Sequence, residues 1–136
     1  MKTFLNNKVI IVLKLVATVI MLQTLFFKFT ASPESVYIFS ALGLEPVGRI
    51  GIGVLELVAS ILILVPATTV YGAILGAGLM GGALMSHLTK LGIVVMDDGG
   101  QLFIYALLVL ISCGLLALNY RERVYDLVKL KDKYRV

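Results

Sequence analysis

The sequence has very few residues of the kinds that hold metals or carry thiol chemistry. It contains one cysteine and one histidine, Cys113 and His87, in 136 residues. A single cysteine forms no disulfide within the chain and no Cys-x-x-Cys redox pair. A single histidine supplies at most one axial haem ligand, and no group of residues has the spacing of a zinc or iron–sulfur site. We therefore predict no metal site in this chain.

Charged residues are also scarce. They make up 15% of the chain, against roughly 25% in a typical soluble protein, whereas 60% of the residues are apolar. A soluble domain of this length leaves too much of its surface in water to bury that apolar fraction. No glycine-rich phosphate loop and no hydrolase nucleophile motif is present, which argues against nucleotide binding and hydrolysis. The composition indicates an integral membrane protein with a single domain.

Four apolar segments are long enough to cross a bilayer as helices, which takes about 20 residues. We predict an all-α, integral membrane four-helix bundle. The predicted spans and the tail that follows them cover residues 9–27, 47–65, 70–88, 101–118 and 119–136. The first span is longer than the roughly 7–15 apolar residues of a signal peptide and is interrupted by Lys14 and Gln23. We therefore expect it to be retained as a helix.

The segment between the first two spans has the signals of a short helix. Ser32 suits the N-cap, Pro33 the first helical position, Glu34 the first turn, and Gly43 the position just past the end. About ten residues are too few to cross the bilayer. We predict a short interfacial helix between spans one and two, on the outer side of the membrane.

The third span is rich in glycine. Two pairs spaced four apart, Gly72 with Gly76 and Gly78 with Gly82, allow helix backbones to approach closely in lipid. We expect both pairs to pack against neighbouring helices. Because a bundle of this size leaves wide glycine-rich faces, we also expect a homo-oligomer or a partner membrane subunit.

Lysine and arginine outside the spans are concentrated at the two ends of the chain. The ends hold Lys2, Lys8 and six residues of the tail, whereas the two outer loops hold only Lys28, Arg49 and Lys90. By the positive-inside rule, both termini face the cytoplasm of a multi-pass protein in the cell (inner) membrane. The tail directly follows an apolar span, so we expect it to contact membrane lipid and not nucleic acid.

Several polar side chains lie inside the spans, where a central charge costs at least about 2.5–3.5 kcal/mol. Glu56 lies near the middle of span two and shares a helical face with Arg49. His87, near the outer end of span three, lies at a depth comparable with Gln23 on span one and Tyr105 on span four. We predict that these groups converge in the outer half of the bundle, where they either bind a ligand or proton or serve a structural role.

The chain resembles the DoxX family of small four-helix membrane proteins over about residues 10–118. The similar segments, in order, are Phe27–Phe29, Phe39–Pro46, Gly53–Leu57 and Ala83–Leu88. The resemblance implies a four-helix bundle related to subunits of terminal quinol oxidases or of thiosulfate:quinone oxidoreductases. It places the family's lysine, glutamate and histidine on Lys28, Glu56 and His87. An arginine common early in span one of the family is represented here by Lys14.

Two classes of function follow. The first is an accessory subunit of a membrane redox assembly that holds a quinone, or a small sulfur species, near Glu56, His87 and Gln23. The second is a small-solute or proton-coupled carrier, or a non-catalytic scaffold in which Glu56 pairs with Arg49. Whether the chain is an enzyme stays open. The candidate ligand-binding residues are Glu56, His87, Gln23, Arg49, Lys28 and Tyr105.

Overall fold

The computed structural model describes residues 3–135, and over this range it contains helices and no strands. Lys2, which the positive-inside argument counted, lies outside the described residues. The helices are α1 (Asn7–Phe29), α2 (Pro33–Ala41), α3 (Val47–Leu64), α4 (Thr69–Ser86), a π-helical turn (His87–Leu91), α5 (Gln101–Asn119) and α6 (Arg121–Lys133). Four of them, α1, α3, α4 with its π-helical turn, and α5, are long and apolar enough to cross a membrane. The predicted all-α bundle with four spans is confirmed.

The short helix α2 is also confirmed, and its boundaries follow from local chemistry. The Ser32 hydroxyl accepts a hydrogen bond from the backbone N–H of Ser35 at 3.3 Å, and Pro33 takes the first helical position. Past the end of the helix, Gly43 adopts a φ of +70°, which a residue without a Cβ does at little cost. The chain then returns into α3.

The four spanning helices form a ring in which α1 and α4 each pack against both α3 and α5. Small side chains together with aliphatic ones fill the centre, and the small ones are expected where helices approach closely. Completely buried members of this core are Ala17, Ala59, Ile63, Ala73, Val109, Cys113 and Leu116. The helices therefore share one continuous core.

One end of the bundle gathers the two ends of the described chain and the α3–α4 turn, and we call it the terminal end. There the Asn119 side-chain oxygen accepts hydrogen bonds from the backbone N–H groups of Phe4 and Leu5 at 3.1 and 3.0 Å. Arg123 donates to the Pro66 carbonyl at 2.6 Å, which ties α6 to the α3–α4 turn. The opposite end, with α2 and the α4–α5 loop, is the loop end.

Within the described chain, the predicted close packing of span three is found for one pair of glycines and not for the other. A Cβ built on Gly72 would lie 2.6 Å from the backbone nitrogen of Ile63, and one on Gly76 would lie 2.8 Å from the Cys113 sulfur. Around Gly78 and Gly82, by contrast, no described atom lies within 4 Å of such a Cβ. The reason is that the two pairs lie on different faces of α4, since the six residues from Gly72 to Gly78 turn the helix by about 240°.

Candidate functional site

A cavity of about 500 Å³ lies in the loop-end half of the bundle, between the spanning helices and α2. Apolar side chains make up most of its wall. Among the polar residues that line it are Gln23, Lys28, Glu34, Glu56, His87, Gln101 and Tyr105. The structure therefore places most of the candidate residues around a single space, which they reach from several different helices.

Glu56 lies on the wall of this cavity and is 3% exposed. Its carboxylate is 3.0 Å from the Lys28 ammonium, which reaches it from the last turn of α1. The Thr24 hydroxyl is 3.5 Å from the same oxygen, Oε2. A buried charge is tolerated when it is paired and hydrogen-bonded, and breaking such a pair is strongly destabilising. Lys28 is thus the residue that makes a buried Glu56 possible.

Arg49 does not pair with Glu56, so that part of the scaffold interpretation was wrong. Its guanidinium instead pairs with Glu45, with Nη2 2.8 Å from Oε1, and also donates to the Lys28 carbonyl. Helical side chains lean toward the helix N-terminus, so Arg49 reaches toward Glu45 and the loop end, away from Glu56. Arg49 lies outside the cavity wall that the described residues form. Through its hydrogen bond to the Lys28 carbonyl, Arg49 holds the backbone from which the Lys28 ammonium reaches Glu56.

Gly53 explains how the end of α1 comes close enough to α3 for this pairing. A Cβ built on Gly53 would lie 2.7 Å from the Phe29 ring. The ring therefore occupies the space that a larger residue would fill. Because Phe29 is next to Lys28 in the chain, this contact fixes the position along α3 at which Lys28 meets Glu56.

His87 enters the cavity wall from the first residue of the π-helical turn. Its Nδ1 is 2.8 Å from the Gly92 carbonyl, and its ring meets Phe103 edge to face at 5.7 Å. A carbonyl only accepts, so Nδ1 carries a hydrogen, and in a neutral ring Nε2 is left as an acceptor. Single π-helical turns are rare and occur often at functional sites. No signal in the sequence indicated this one.

The remaining candidates come from α1 and α5. The Gln101 amide donates to the Tyr105 hydroxyl at 2.6 Å, one turn further along α5. Gln23 lines the cavity, but the α1 residues that contact the Glu56 carboxylate are Thr24 and Lys28. Adjacent helical positions differ by about 100°, so a single step along α1 decides which side chain meets Glu56.

The pKa values of two carboxylates at the loop end are shifted in opposite directions. Burial raises the pKa of Glu34, a residue of the cavity wall, and repulsion from Asp98 adds to it. For Asp98, burial acts to raise the pKa, but hydrogen bonds from the backbone N–H groups of Val95, Gly100 and Leu102, with His87 nearby, hold it below its ordinary value. Asp98 is thus a turn and capping residue at the start of α5.

Comparison with known proteins identifies the family and nothing narrower. The model of the DoxX-like family matches residues 12–115, which is most of the chain. No curated protein and no solved structure matches this chain. Within residues 3–135, no group of three His, Cys, Asp or Glu side chains is arranged to hold a metal ion. With four helices suited to cross a membrane, this chain is a multi-pass membrane protein and belongs to the DoxX-like family.

Proposed function

We propose that this chain is an accessory subunit of a quinone-linked membrane redox assembly, and that its cavity holds the quinone head group. The observation that carries the proposal is the wall of the cavity, which combines apolar surface with hydrogen-bonding groups from several helices. Small-molecule and cofactor sites have this character, with volumes of roughly 300–1,000 Å³. The 500 Å³ found here lies in that range.

The polar groups fit both oxidation states of such a ligand. A bound quinone takes up two electrons and two protons on reduction to the quinol. Lys28 offers N–H donors to a carbonyl oxygen, and Tyr105, whose oxygen accepts from Gln101, keeps its own hydroxyl hydrogen available to a ligand. Glu56 offers acceptors to hydroxyl groups, and the Nε2 atom of His87 does so when the ring is neutral. The chain would thus bind and orient the head group, while a partner redox subunit exchanges the electrons.

The proposal places both termini in the cytoplasm and the cavity in the outer half of the cell (inner) membrane. It is supported by the concentration of lysine and arginine in α6 and by Lys8 in the first turn of α1, at the terminal end. Topology reporters inserted after Thr30, Thr69 and Asp98 should be outside, inside and outside. An inside result after Asp98 would contradict this orientation.

A proton-coupled or small-solute carrier is the second candidate, and the Lys28–Glu56 pair favours it. The two side chains are 3.0 Å apart inside a spanning segment, so protonating the carboxylate would remove one charge of the pair and change what the cavity binds. A carrier of this kind would show pH-dependent uptake of a solute and no retention of quinone. The same preparations can test both candidates.

The test is the quinone content and quinone affinity of the full chain in lipid nanodiscs. Mass spectrometry should find co-purified quinone, and titration with a short-chain ubiquinone should saturate. Lys28→Met combined with Glu56→Gln, which leaves no buried charge unpaired, should weaken that affinity roughly tenfold or more, the worth of a charge-assisted hydrogen bond. Lys14→Met is the matched control, because Lys14 is on the same helix outside the cavity wall of the described residues. Equal loss in both variants, or no quinone bound to the unaltered chain, would reject the proposal.

A further inference from the structure

Helices α3 and α4 touch closely near the turn that joins them. A Cβ built on Gly72 would lie 2.7 Å from the Ala59 carbonyl oxygen and 2.6 Å from the Ile63 nitrogen. Backbones this close exclude any side chain or lipid. At the terminal end, therefore, the bundle is closed between α3 and α4.

The cavity borders the same helix faces nearer the loop end. Ile52 precedes Ala59 by seven residues and Leu79 follows Gly72 by seven, so Ile52 shares the face of Ala59 and Leu79 that of Gly72, about two turns, or roughly 10 Å, nearer the loop end. Ile52 and Leu79 both line the cavity. The cavity therefore extends between α3 and α4 at this level.

Gly78 and Gly82 mark where this space reaches the surface. Both line the cavity, both are exposed, and no atom of the described chain lies within 4 Å of a Cβ built on either. They also lie within the spanning segment Thr69–Leu91, with Gly82 nine residues, or roughly 14 Å, from its loop-end terminus. At that depth the surroundings are lipid hydrocarbon and not water.

We infer that the cavity opens sideways to the bilayer between α3 and α4, and that its ligand enters there and leaves an apolar tail in the gap over Gly78 and Gly82. The inference rests on the proposed function only for the identity of the head group as a quinone, and the lateral opening is argued independently of it. It adds the substrate class: a quinone with a hydrocarbon tail, not a tailless or water-soluble one.

The chemistry of the gap suits such a tail. Its walls are Ile52, Leu79 and two glycines, and the backbone polar groups there are used within the helices. A polar solute would gain no hydrogen bond on this path, whereas a hydrocarbon chain would keep an apolar environment throughout. Ile52 is one turn from Glu56, so the gap leads directly to the Lys28–Glu56 pair.

The first test fills the gap and compares two probes, decylubiquinone and tailless ubiquinone-0. Gly82→Leu has space for its side chain, so the fold is expected to persist. Affinity for the tailed probe should fall roughly tenfold, the cost of excluding about two methylenes, and affinity for the tailless probe should stay unchanged. Gly81→Leu is the matched control, because Gly81 is equally open but lies outside the described cavity wall. Equal effects of the two variants on the tailed probe would overturn the inference.

The second test needs no quinone. The sequence has no tryptophan, so Ile52→Trp provides a single fluorophore in the gap. In bilayers of acyl-chain-brominated phosphatidylcholine it should be quenched about as well as Val54→Trp, at an exposed position of the same helix. Adding Gly82→Leu should reduce the quenching, and adding Gly81→Leu should not.

The two tests separate the two proposals. Quenching of Ile52→Trp by brominated lipid, without quinone binding, would support the lateral opening and reject the quinone. Quenching by aqueous acrylamide alone would overturn the opening, because the cavity would then face water at the loop end. In that case quinone binding to the unaltered chain would still decide the proposed function by itself.

Discussion

In the terminal-end half of the bundle, Gly72 brings α4 against the backbone of α3, whereas in the loop-end half the exposed Gly78 and Gly82 border the cavity. The buried charged groups lie in the second half. Glu56, Lys28 and Tyr105 line the cavity, and the core beside Gly76 consists of groups such as Met21 and Cys113. The bundle thus combines close helix packing at one end with a space at the other, where buried charges can be used.

The largest effect is expected from breaking the charged pair of the open half. Glu56→Leu leaves the Lys28 ammonium beside an apolar side chain and should cost about 3–5 kcal/mol of unfolding free energy. Thermal unfolding in detergent, followed by light scattering, measures it. Adding Lys28→Met should restore much of the loss, since no unpaired charge remains. A double variant no more stable than Glu56→Leu alone would contradict the pairing.

The closed half is tested by adding one carbon atom. Gly72→Ala forces a Cβ against the backbone of α3 and should cost roughly 1–3 kcal/mol, as overpacking does. Gly78→Ala, in open space on the same helix, should be neutral or slightly stabilising, because alanine is the better helix former. Unfolding temperatures of the two variants make the comparison. Similar losses for both would mean that Gly78 is as tightly packed as Gly72.

A smaller effect is expected at the terminal end from Asn119→Ala. The substitution removes the acceptor of two backbone N–H groups, on Phe4 and Leu5, and should cost roughly 1–2 kcal/mol. Amide hydrogen exchange should accelerate at these two residues. Exchange at Lys28 in the loop-end half should stay unchanged, and faster exchange there would show that the two halves are coupled.

The smallest effect concerns the pH dependence of the two loop-end carboxylates. The pKa of Asp98 is held below its ordinary value of 3.8, so its stabilisation is present above that value and is lost as the pH falls through the lowered pKa. The pKa of Glu34 is raised above 4.5, so its contribution has the opposite sign and favours folding as the pH falls. Asp98→Asn should therefore lower the unfolding temperature at neutral pH, and Glu34→Gln should raise it slightly. Unfolding temperatures that change in the same direction in both variants would contradict the opposite pKa shifts of the two carboxylates.

Sequence reasoning succeeded where the relevant physics is local. The lengths of the apolar runs determine which helices can span a membrane, because about 20 residues cross the hydrocarbon wherever they lie in the chain. Ser32, Pro33 and Gly43 determine the limits of α2 through contacts within one turn. The ordered segments around Lys28, Glu56 and His87 were sufficient for the family resemblance, which the family model confirms.

Only the tertiary structure decided which residues of that set meet. Glu56 could be paired with Arg49 from their shared helical face, but the crossing of α1 over Gly53 brings Lys28 to it instead. The pairs Gly72–Gly76 and Gly78–Gly82 have the same spacing but lie on different faces of α4, and only the tertiary structure shows which of the two faces meets neighbouring helices. Helical periodicity specifies the side of a helix on which a residue lies. The distance to the neighbouring helix depends on crossing angles that the whole bundle sets together.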